Sequence, residues 1–177
     1  MDNKLKRAPG LYLAGFMGSG KTTVGRVLAD RLGWDFIDLD SEIESAEGTS
    51  IAQLFETRGE EEFRRIETEA LKKVMHGVER GMPSVVALGG GSFAQPGNTQ
   101  LLDGHGISVW LDCPFETIEQ RVRVLDGDTR PLARDSERFR QLYDERRAAY
   151  QLASYRIDAD CDVERAVEQI LGLPCWK

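Results

Sequence analysis

The residues best suited to chemistry form one eight-residue stretch, GFMGSGKT, from Gly15 to Thr22. It fits the pattern G-x-x-x-x-G-K-[ST], whose glycines let backbone N–H groups curl around phosphate groups. Lys21 is expected to reach the outer phosphates as a point charge, and the Thr22 hydroxyl can ligate Mg²⁺. The pattern predicts a nucleoside triphosphate site lined by Gly18, Ser19, Gly20, Lys21, Thr22 and Thr23.

The flanking segments predict the elements that hold this loop. Leu11–Ala14 is a short apolar run that indicates a strand, and Thr23–Leu32 has the pattern of a helix. Strand, glycine loop and helix is the context that a phosphate-binding loop requires, and the helix N-terminus adds a positive dipole. The alternative, a glycine-rich turn that only caps a helix, is disfavoured by this context.

Two carboxylates, Asp38 and Asp40, follow the second apolar run in the sequence DLD. Strand alternation predicts that both lie on the same side of the backbone, and the carboxyl ends of parallel strands line the ligand crevice. One carboxylate can hold Mg²⁺ while the other accepts a proton. If the pair stood alone, a helix-capping Asp40 beside a solvated Asp38 would be favoured; beside a phosphate loop, the ligand and base roles are favoured.

Three consecutive glycines, Gly89–Gly91, follow the third apolar run, Ser84–Leu88. Many phosphate-loop ATPases carry an acidic magnesium ligand at this point, and its lack here makes Asp38 the better metal candidate. Bare backbone allows a ligand to lie against N–H groups. A flexible turn explains the glycines equally well when they are taken alone.

Short apolar runs alternate with helical patterns, which predicts an α/β fold of three layers with a central parallel sheet of about five strands. Ser41 with Glu44 and Ser50 with Gln53 have the spacing of capping boxes, and Pro114 is expected to open a helix. A polar stretch rich in breakers, about residues 125–138, predicts a mobile surface loop. The candidate strands are Leu11–Ala14, Phe36–Leu39, Ser84–Leu88, Ile107–Leu111 and Tyr155–Ile157.

Length and composition narrow the class of protein. The 177 residues suit one domain, residues 1–177, and the net charge of −7 disfavours nucleic acid and anionic lipid as partners. Three widely spaced cysteines fit neither a disulfide framework nor a zinc site, which favours a reducing cytoplasm. The chain has no apolar run of the roughly 20 residues that span a bilayer and no signal-peptide pattern, so a cytoplasmic location away from membranes is expected.

Six motifs occur along the chain in the order found in one family: GFMGSGKTTVGR, DLD, EEFRRIE, LGGGS, TRPL and ERRAAY. In these motifs the chain resembles the shikimate kinases over nearly its whole length. The resemblance implies a P-loop kinase fold with a mobile lid at about residues 125–138 and substrate-binding helices at about residues 41–78. It implies transfer of the γ-phosphate of ATP to the 3-hydroxyl of shikimate, on the route to chorismate and the aromatic amino acids, with Mg²⁺ as cofactor.

The resemblance also implies roles for individual residues. Asp40 matches the aspartate that binds the substrate hydroxyls and acts as base, and Asp38 matches the one that positions Mg²⁺ alongside Thr22. A planar guanidinium fork suits a carboxylate, which agrees with the role implied for the substrate arginines. The remaining matches are Arg64 and Arg146 on the substrate carboxylate with Gly89, Gly90 and Gly91 beside them, Lys21 and Arg130 on the transferring phosphates, and Arg123 against adenine.

One motif departs from the family. Where R-x-P-L-Y is common, the chain has Arg146, Arg147, Ala148, Ala149 and Tyr150. Tyr150 fixes the register and favours Arg146 as the carboxylate ligand, while Arg147 stays an alternative.

Other functions remain open on the sequence alone. One rival is a kinase for another polyol acid or for a nucleoside monophosphate, and a second is a non-catalytic nucleotide-binding module. A GTPase switch is disfavoured because the second half has no N-K-x-D motif. The favoured partners are ATP and shikimate, bound by a monomer.

Overall fold

The computed structural model describes residues 10–126 and 135–176. Within these ranges the chain forms one five-stranded parallel sheet with strand order β2-β3-β1-β4-β5. The strands are β1 (Gly10–Ala14), β2 (Asp35–Asp38), β3 (Ser84–Ala87), β4 (Ile107–Asp112) and β5 (Tyr155–Asp158). The α-helices are α1 (Lys21–Leu32), α2 (Leu39–Glu47), α3 (Ile51–Glu79), α4 (Pro96–Leu102), α5 (Phe115–Asp126), α6 (Ser136–Tyr150) and α7 (Val163–Leu171).

The sheet forms where the sequence places its apolar runs. In β1, β3 and β4 every residue is buried, as expected for central parallel strands that helices cover on both faces. Leu11 of β1 pairs with Val85 on one side and Ile107 on the other. The predicted α/β class and its five strands are confirmed, and each strand lies within one residue of its predicted bounds.

Of the two helix starts predicted from capping boxes, one is confirmed and the other is wrong. Ser50 caps α3 as predicted, since its side chain accepts a hydrogen bond from the Gln53 N–H and the Gln53 side chain bonds back to the Ser50 N–H. The start predicted at Ser41 is wrong, because α2 begins at Leu39 and its cap is Asp38. The Asp38 carboxylate accepts from the Ser41 N–H and ends the strand one residue early.

A break divides α3 into two helical pieces. Gly59 has φ 81° and ψ 172°, a conformation with positive φ that glycine adopts without the cost of a Cβ. The piece before the break carries Phe55, and the piece after it carries Phe63 and Arg64. The two phenylalanine rings pack across the break with centroids 4.4 Å apart.

The predicted mobile lid, about residues 125–138, lies largely outside the described residues. At its end the structure differs from the prediction, because Asp135 caps α6 and residues 136–138 are already helical. Among the described helices, none has both the length and the apolar content to cross a bilayer.

Candidate active site

The phosphate loop connects β1 to α1 at the carboxyl edge of the sheet, as predicted. Gly18 has φ 78° and Gly20 has φ 97°, so both occupy the positive-φ region that glycine favours. A Cβ added to Gly18 would lie 3.0 Å from Val122 Cγ2, so the loop also packs closely on α5. The Lys21 ammonium folds back over the loop and donates to the Gly15 carbonyl at 2.7 Å and the Phe16 carbonyl at 3.0 Å.

Thr22 and Asp38 meet beside the loop. The Thr22 hydroxyl donates to Asp38 Oδ2 at 2.9 Å, while the other oxygen of Asp38 caps α2. A hydroxyl and a carboxylate are hard oxygen donors of the kind that Mg²⁺ takes alongside phosphate oxygens and water. The residues present therefore fit the predicted metal.

Asp40 reaches the same cleft by a different route from the one predicted. It lies in the first turn of α2 and not on β2, so strand alternation does not explain its direction. A Cβ added to Gly89 would lie 2.6 Å from Asp40 Oδ1, so the carboxylate packs against bare backbone. Burial raises the pKa of Asp40, and the neighbouring Asp38 raises it further, while Lys21 and Arg64 oppose the shift.

The two substrate arginines of the prediction converge on the glycine triplet. A Cβ added to Gly91 would lie 2.7 Å from Arg64 Nη2 and 3.1 Å from Arg146 Nη2. Only a residue without a side chain leaves room for both guanidinium groups there. Burial lowers the pKa of Arg146, with Arg64 adding to the effect, but an arginine remains charged in proteins.

A further charged residue, Glu67, lies next to Arg64. The sequence predicted no role for it. Its side chain is 1% exposed and accepts from Arg64 Nη1 at 2.9 Å. Burial raises the pKa of Glu67, and the Arg64 charge opposes that shift. The spacing of three residues between Arg64 and Glu67 on α3 could have predicted this contact, because side chains at i and i+3 meet on a helix.

The structure separates the two arginines of the ERRAAY motif. Arg146 faces Gly90 and Gly91, and its guanidinium lies 5.7 Å from the Phe16 ring centroid. Arg147 points the other way and pairs with Asp112 at the end of β4, at 2.5 and 3.0 Å. Arg146 is therefore the arginine brought to the predicted substrate site.

The resemblance assigns nucleotide contacts to two further arginines, Arg123 and Arg130. Arg123 is 64% exposed and pairs with Glu119 at 2.9 Å, away from the cleft lining. Arg121 lines the cleft instead, and it donates to the Gly18 carbonyl at 3.4 Å and the Ala159 carbonyl at 3.2 Å. Arg130 lies outside the described residues.

The phosphate loop, Asp38, Asp40 and Gly90 share one cleft of about 570 Å³ with Arg121 and the start of α7. Its chemistry combines a polyphosphate cradle, hard metal donors and a half-buried carboxylate, that of Asp40. With two arginines beyond that carboxylate, the site and the fold define a P-loop small-molecule kinase.

A family model described as shikimate kinase matches residues 17–173. The chain therefore belongs to the shikimate kinase family, which confirms the resemblance. The shikimate kinase of a Sulfurihydrogenibium species is 40% identical over 162 residues, which cover 91% of this chain and 95% of that protein.

Solved structures agree with the family assignment. The shikimate kinase from Acinetobacter baumannii in complex with shikimate has a TM-score of 0.83 at 36% identity, covering 94% of this chain and 93% of that one. A gluconokinase from Sinorhizobium meliloti has a TM-score of 0.60 at 18% identity, covering 93% and 91% of the two chains. This second likeness shows the fold alone.

Proposed function

We propose that this chain transfers the γ-phosphate of ATP to the 3-hydroxyl of shikimate, giving shikimate 3-phosphate and ADP in the synthesis of chorismate and the aromatic amino acids. Family membership supports the reaction class. The observation that carries the choice of acceptor is the meeting of Arg64 and Arg146 over Gly91, with Asp40 packed against Gly89 nearby.

The charges at the acceptor end suit a ring acid with one carboxylate. Two guanidinium groups, those of Arg64 and Arg146, meet there. The buried Glu67 pairs with Arg64, while Glu60, 3.5 Å from Arg64, is 70% exposed and screened by water. A substrate carboxylate would give these two guanidinium groups a further negative partner, and arginine forks bind carboxylates through paired hydrogen bonds. The backbone of Gly89–Gly91 lies beside it, and Asp40 binds the hydroxyls at the other end of the ring.

The nucleotide end follows from the phosphate loop. Backbone N–H groups of Gly18–Thr23 bind the phosphates, and Lys21 leaves its carbonyl partners to reach the outer ones. Thr22 and Asp38 would hold Mg²⁺, which would neutralise phosphate charge. Arg121 lines the same cleft as the phosphate loop, which makes it a better candidate for a nucleotide contact than the exposed Arg123. The phosphate contact of Arg130 stays a prediction.

Asp40 is the proposed base. As the 3-hydroxyl oxygen attacks the γ-phosphorus, its proton passes to the Asp40 carboxylate and ADP leaves. The raised pKa of Asp40 makes its carboxylate a stronger proton acceptor than an exposed aspartate. Positioning and charge neutralisation supply most of the rate enhancement, and closure of the proposed lid over ATP excludes water.

The wider assignment is a single catalytic domain, residues 1–177, that acts as a monomer in the cytoplasm on small molecules, without nucleic acid or membrane partners. The net charge of −7 supports it, as do the free thiols of Cys113, Cys161 and Cys175. Light scattering on the purified protein tests the monomer, and a mass twice that of the chain contradicts it.

The experiment that tests the reaction is a coupled assay of ADP release with ATP, Mg²⁺ and shikimate. We expect turnover that requires all three components and a product phosphorylated on the 3-hydroxyl by NMR. Gluconate and nucleoside monophosphates are the matched alternative acceptors. Efficient phosphorylation of either, with none of shikimate, would overturn the proposal, and ATP binding without any transfer would favour a regulatory module.

A further inference from the structure

Between Tyr143 and Tyr150, α6 has little apolar contact with the rest of the protein. The buried residues of the helix are Phe139, Tyr143 and Tyr150, and the six positions between the last two are exposed or half-buried. Arg146, which faces the glycine triplet, lies in this stretch. Hydrophobic packing therefore holds the two ends of the segment but leaves its middle without an apolar anchor.

A buried carboxylate at the end of β4 supplies a polar anchor there. Asp112 is 7% exposed and receives both prongs of Arg147, Nη1 at 2.5 Å and Nη2 at 3.0 Å. Arg156 of β5 reaches the second oxygen at 2.5 Å, so two cations share one carboxylate. The guanidinium of Arg147 also lies 4.9 Å from the Trp110 ring centroid, within cation–π range.

Tyr143 joins this contact to the site. Arg147 Nη1 donates to the Tyr143 hydroxyl at 2.8 Å, and that hydroxyl donates to the Cys113 carbonyl at 2.9 Å. The Tyr143 ring meets the Phe16 ring of the phosphate loop edge-on at 5.4 Å. Both polar partners of Arg147 are thus held at the carboxyl end of β4: Asp112 is its last residue, and Tyr143 is bonded to the Cys113 carbonyl. The contact of Arg147 therefore has a defined direction.

Neighbouring residues on an α-helix point about 100° apart, so the direction of one determines that of the next. We propose that Arg147, through its fork onto Asp112, is a positioning residue that sets the rotation of α6 and thereby aims Arg146 at Gly90 and Gly91. Arg147 does not itself touch substrate, because its guanidinium is occupied by Asp112 and Tyr143. This inference rests on the proposed role of Arg146 in binding the acceptor carboxylate.

The test is a double-mutant cycle in the KM for shikimate, using Arg147→Ala, Arg146→Ala and the double variant. We expect Arg147→Ala to raise this KM about 10-fold, because a misplaced binding group loses much of its contribution. The KM for ATP should stay within about twofold, since Phe139 and Tyr143 still pack on Phe16. In the Arg146→Ala background, Arg147→Ala should add nothing further.

Arg140→Ala is the matched control. Arg140 lies on the same helix and pairs with Glu116 at 3.1 Å over the Phe115 ring, but it faces α5 and not the sheet. Its removal should leave the KM for shikimate unchanged. Equal, additive effects of Arg147→Ala in both backgrounds, or an unchanged KM in the folded variant, would overturn the inference.

A second measurement is independent of turnover. Amide hydrogen exchange should accelerate across residues 144–150 in Arg147→Ala and in Asp112→Asn, but not in Arg140→Ala. Unchanged exchange in a folded variant contradicts the anchoring step. If the wild type fails to phosphorylate shikimate, the proposed function fails, while the exchange result still decides whether Arg147 anchors the helix.

Discussion

The two ends of the cleft are built from different parts of the chain. At the nucleotide end, the predicted ligands are backbone groups of one continuous loop, assisted by Lys21 and Thr22 at the start of α1. At the acceptor end, they are side chains from α2, α3 and α6 that converge on three glycines. A loop of contiguous residues carries its geometry in a short motif, whereas convergent side chains depend on the whole fold.

The electrostatic setting differs as well. Thr22 is exposed and Asp38 half-buried, so water screens the charge at the metal end. Glu67 is buried, and burial shifts the pKa values of Asp40, Glu67 and Arg146 toward their neutral forms. The free-energy cost of burying charged groups at the acceptor end is therefore present before any ligand binds. Shifted pKa values of this kind are common in functional sites.

The largest effect should come from Asp40→Asn, which removes the proposed proton acceptor at the acceptor end. We expect kcat to fall by about 10²–10⁴-fold while ATP binding is retained, because general bases contribute about that much. Steady-state kinetics and a nucleotide titration separate the two effects. Turnover close to that of the wild type would exclude Asp40 as the base.

Gly91→Ala should affect the acceptor end alone. The new Cβ would lie 2.7 Å from Arg64 and 3.1 Å from Arg146, so both guanidinium groups must shift. We expect the KM for shikimate to rise about 10- to 100-fold with little change in the KM for ATP. Gly97→Ala is the control, because nothing lies within 4 Å of a Cβ added there; equal effects of the two substitutions would contradict this account.

Arg121→Ala should affect the nucleotide end alone. The side chain bridges the Gly18 and Ala159 carbonyls, and its loss should raise the KM for ATP by about tenfold. Arg123→Ala should change this KM by less than about twofold, because its contact with Glu119 is exposed. The reverse order of effects would support Arg123 as the adenine contact that the resemblance implies.

The smallest effect concerns the stability of the ligand-free protein. The pKa of Asp40 is raised in the folded state, so ionisation of Asp40 destabilises that state. Asp40→Asn should therefore raise Tm at pH 7 by a few degrees, at about 2–4 °C for each kcal/mol.

This advantage should fade as pH falls through the raised pKa and vanish below the ordinary value of 3.8, where Asp40 is neutral in both states. Thermal melts from pH 3 to 8 measure it. Asp144→Asn, at an exposed position on α6, serves as the control. A Tm difference that does not vary with pH would argue against burial as the cause.

The contrast between the two ends also explains how much the sequence predicted. The prediction of the β1–loop–α1 unit was accurate, because a local motif specifies this unit. The position of Asp40 was right for the wrong reason, since the Asp38 cap starts α2 early and a helical turn replaces strand alternation. The Tyr150 register favoured Arg146 but left Arg147 open as an alternative, because the carboxylate that pairs with Arg147, Asp112, lies 35 residues away in the chain.

Arg121 and Glu67 were not given roles for a similar reason. The Arg121 contacts are carbonyls 103 and 38 residues away, and no periodicity points to them. Glu67 lies one helical turn from Arg64, but its burial depends on Gly89 in another segment. Long-range contacts such as those of Arg121 leave no local trace in the sequence.

The positive φ of Gly59 gives the long helix α3 an elbow. Because the hydrogen-bond ladder is interrupted there, fraying that starts at Ser50 can stop at the elbow before it reaches the turn that carries Arg64. Across this point the Phe55 and Phe63 rings pack together, and the Arg64 guanidinium lies 5.8 Å from the Phe55 ring centroid. The first piece is itself held in place, because Leu54 is fully buried and Arg58 pairs with Glu47 of α2 at 2.7 Å. The elbow therefore lets α3 change direction while both of its pieces stay packed on the core.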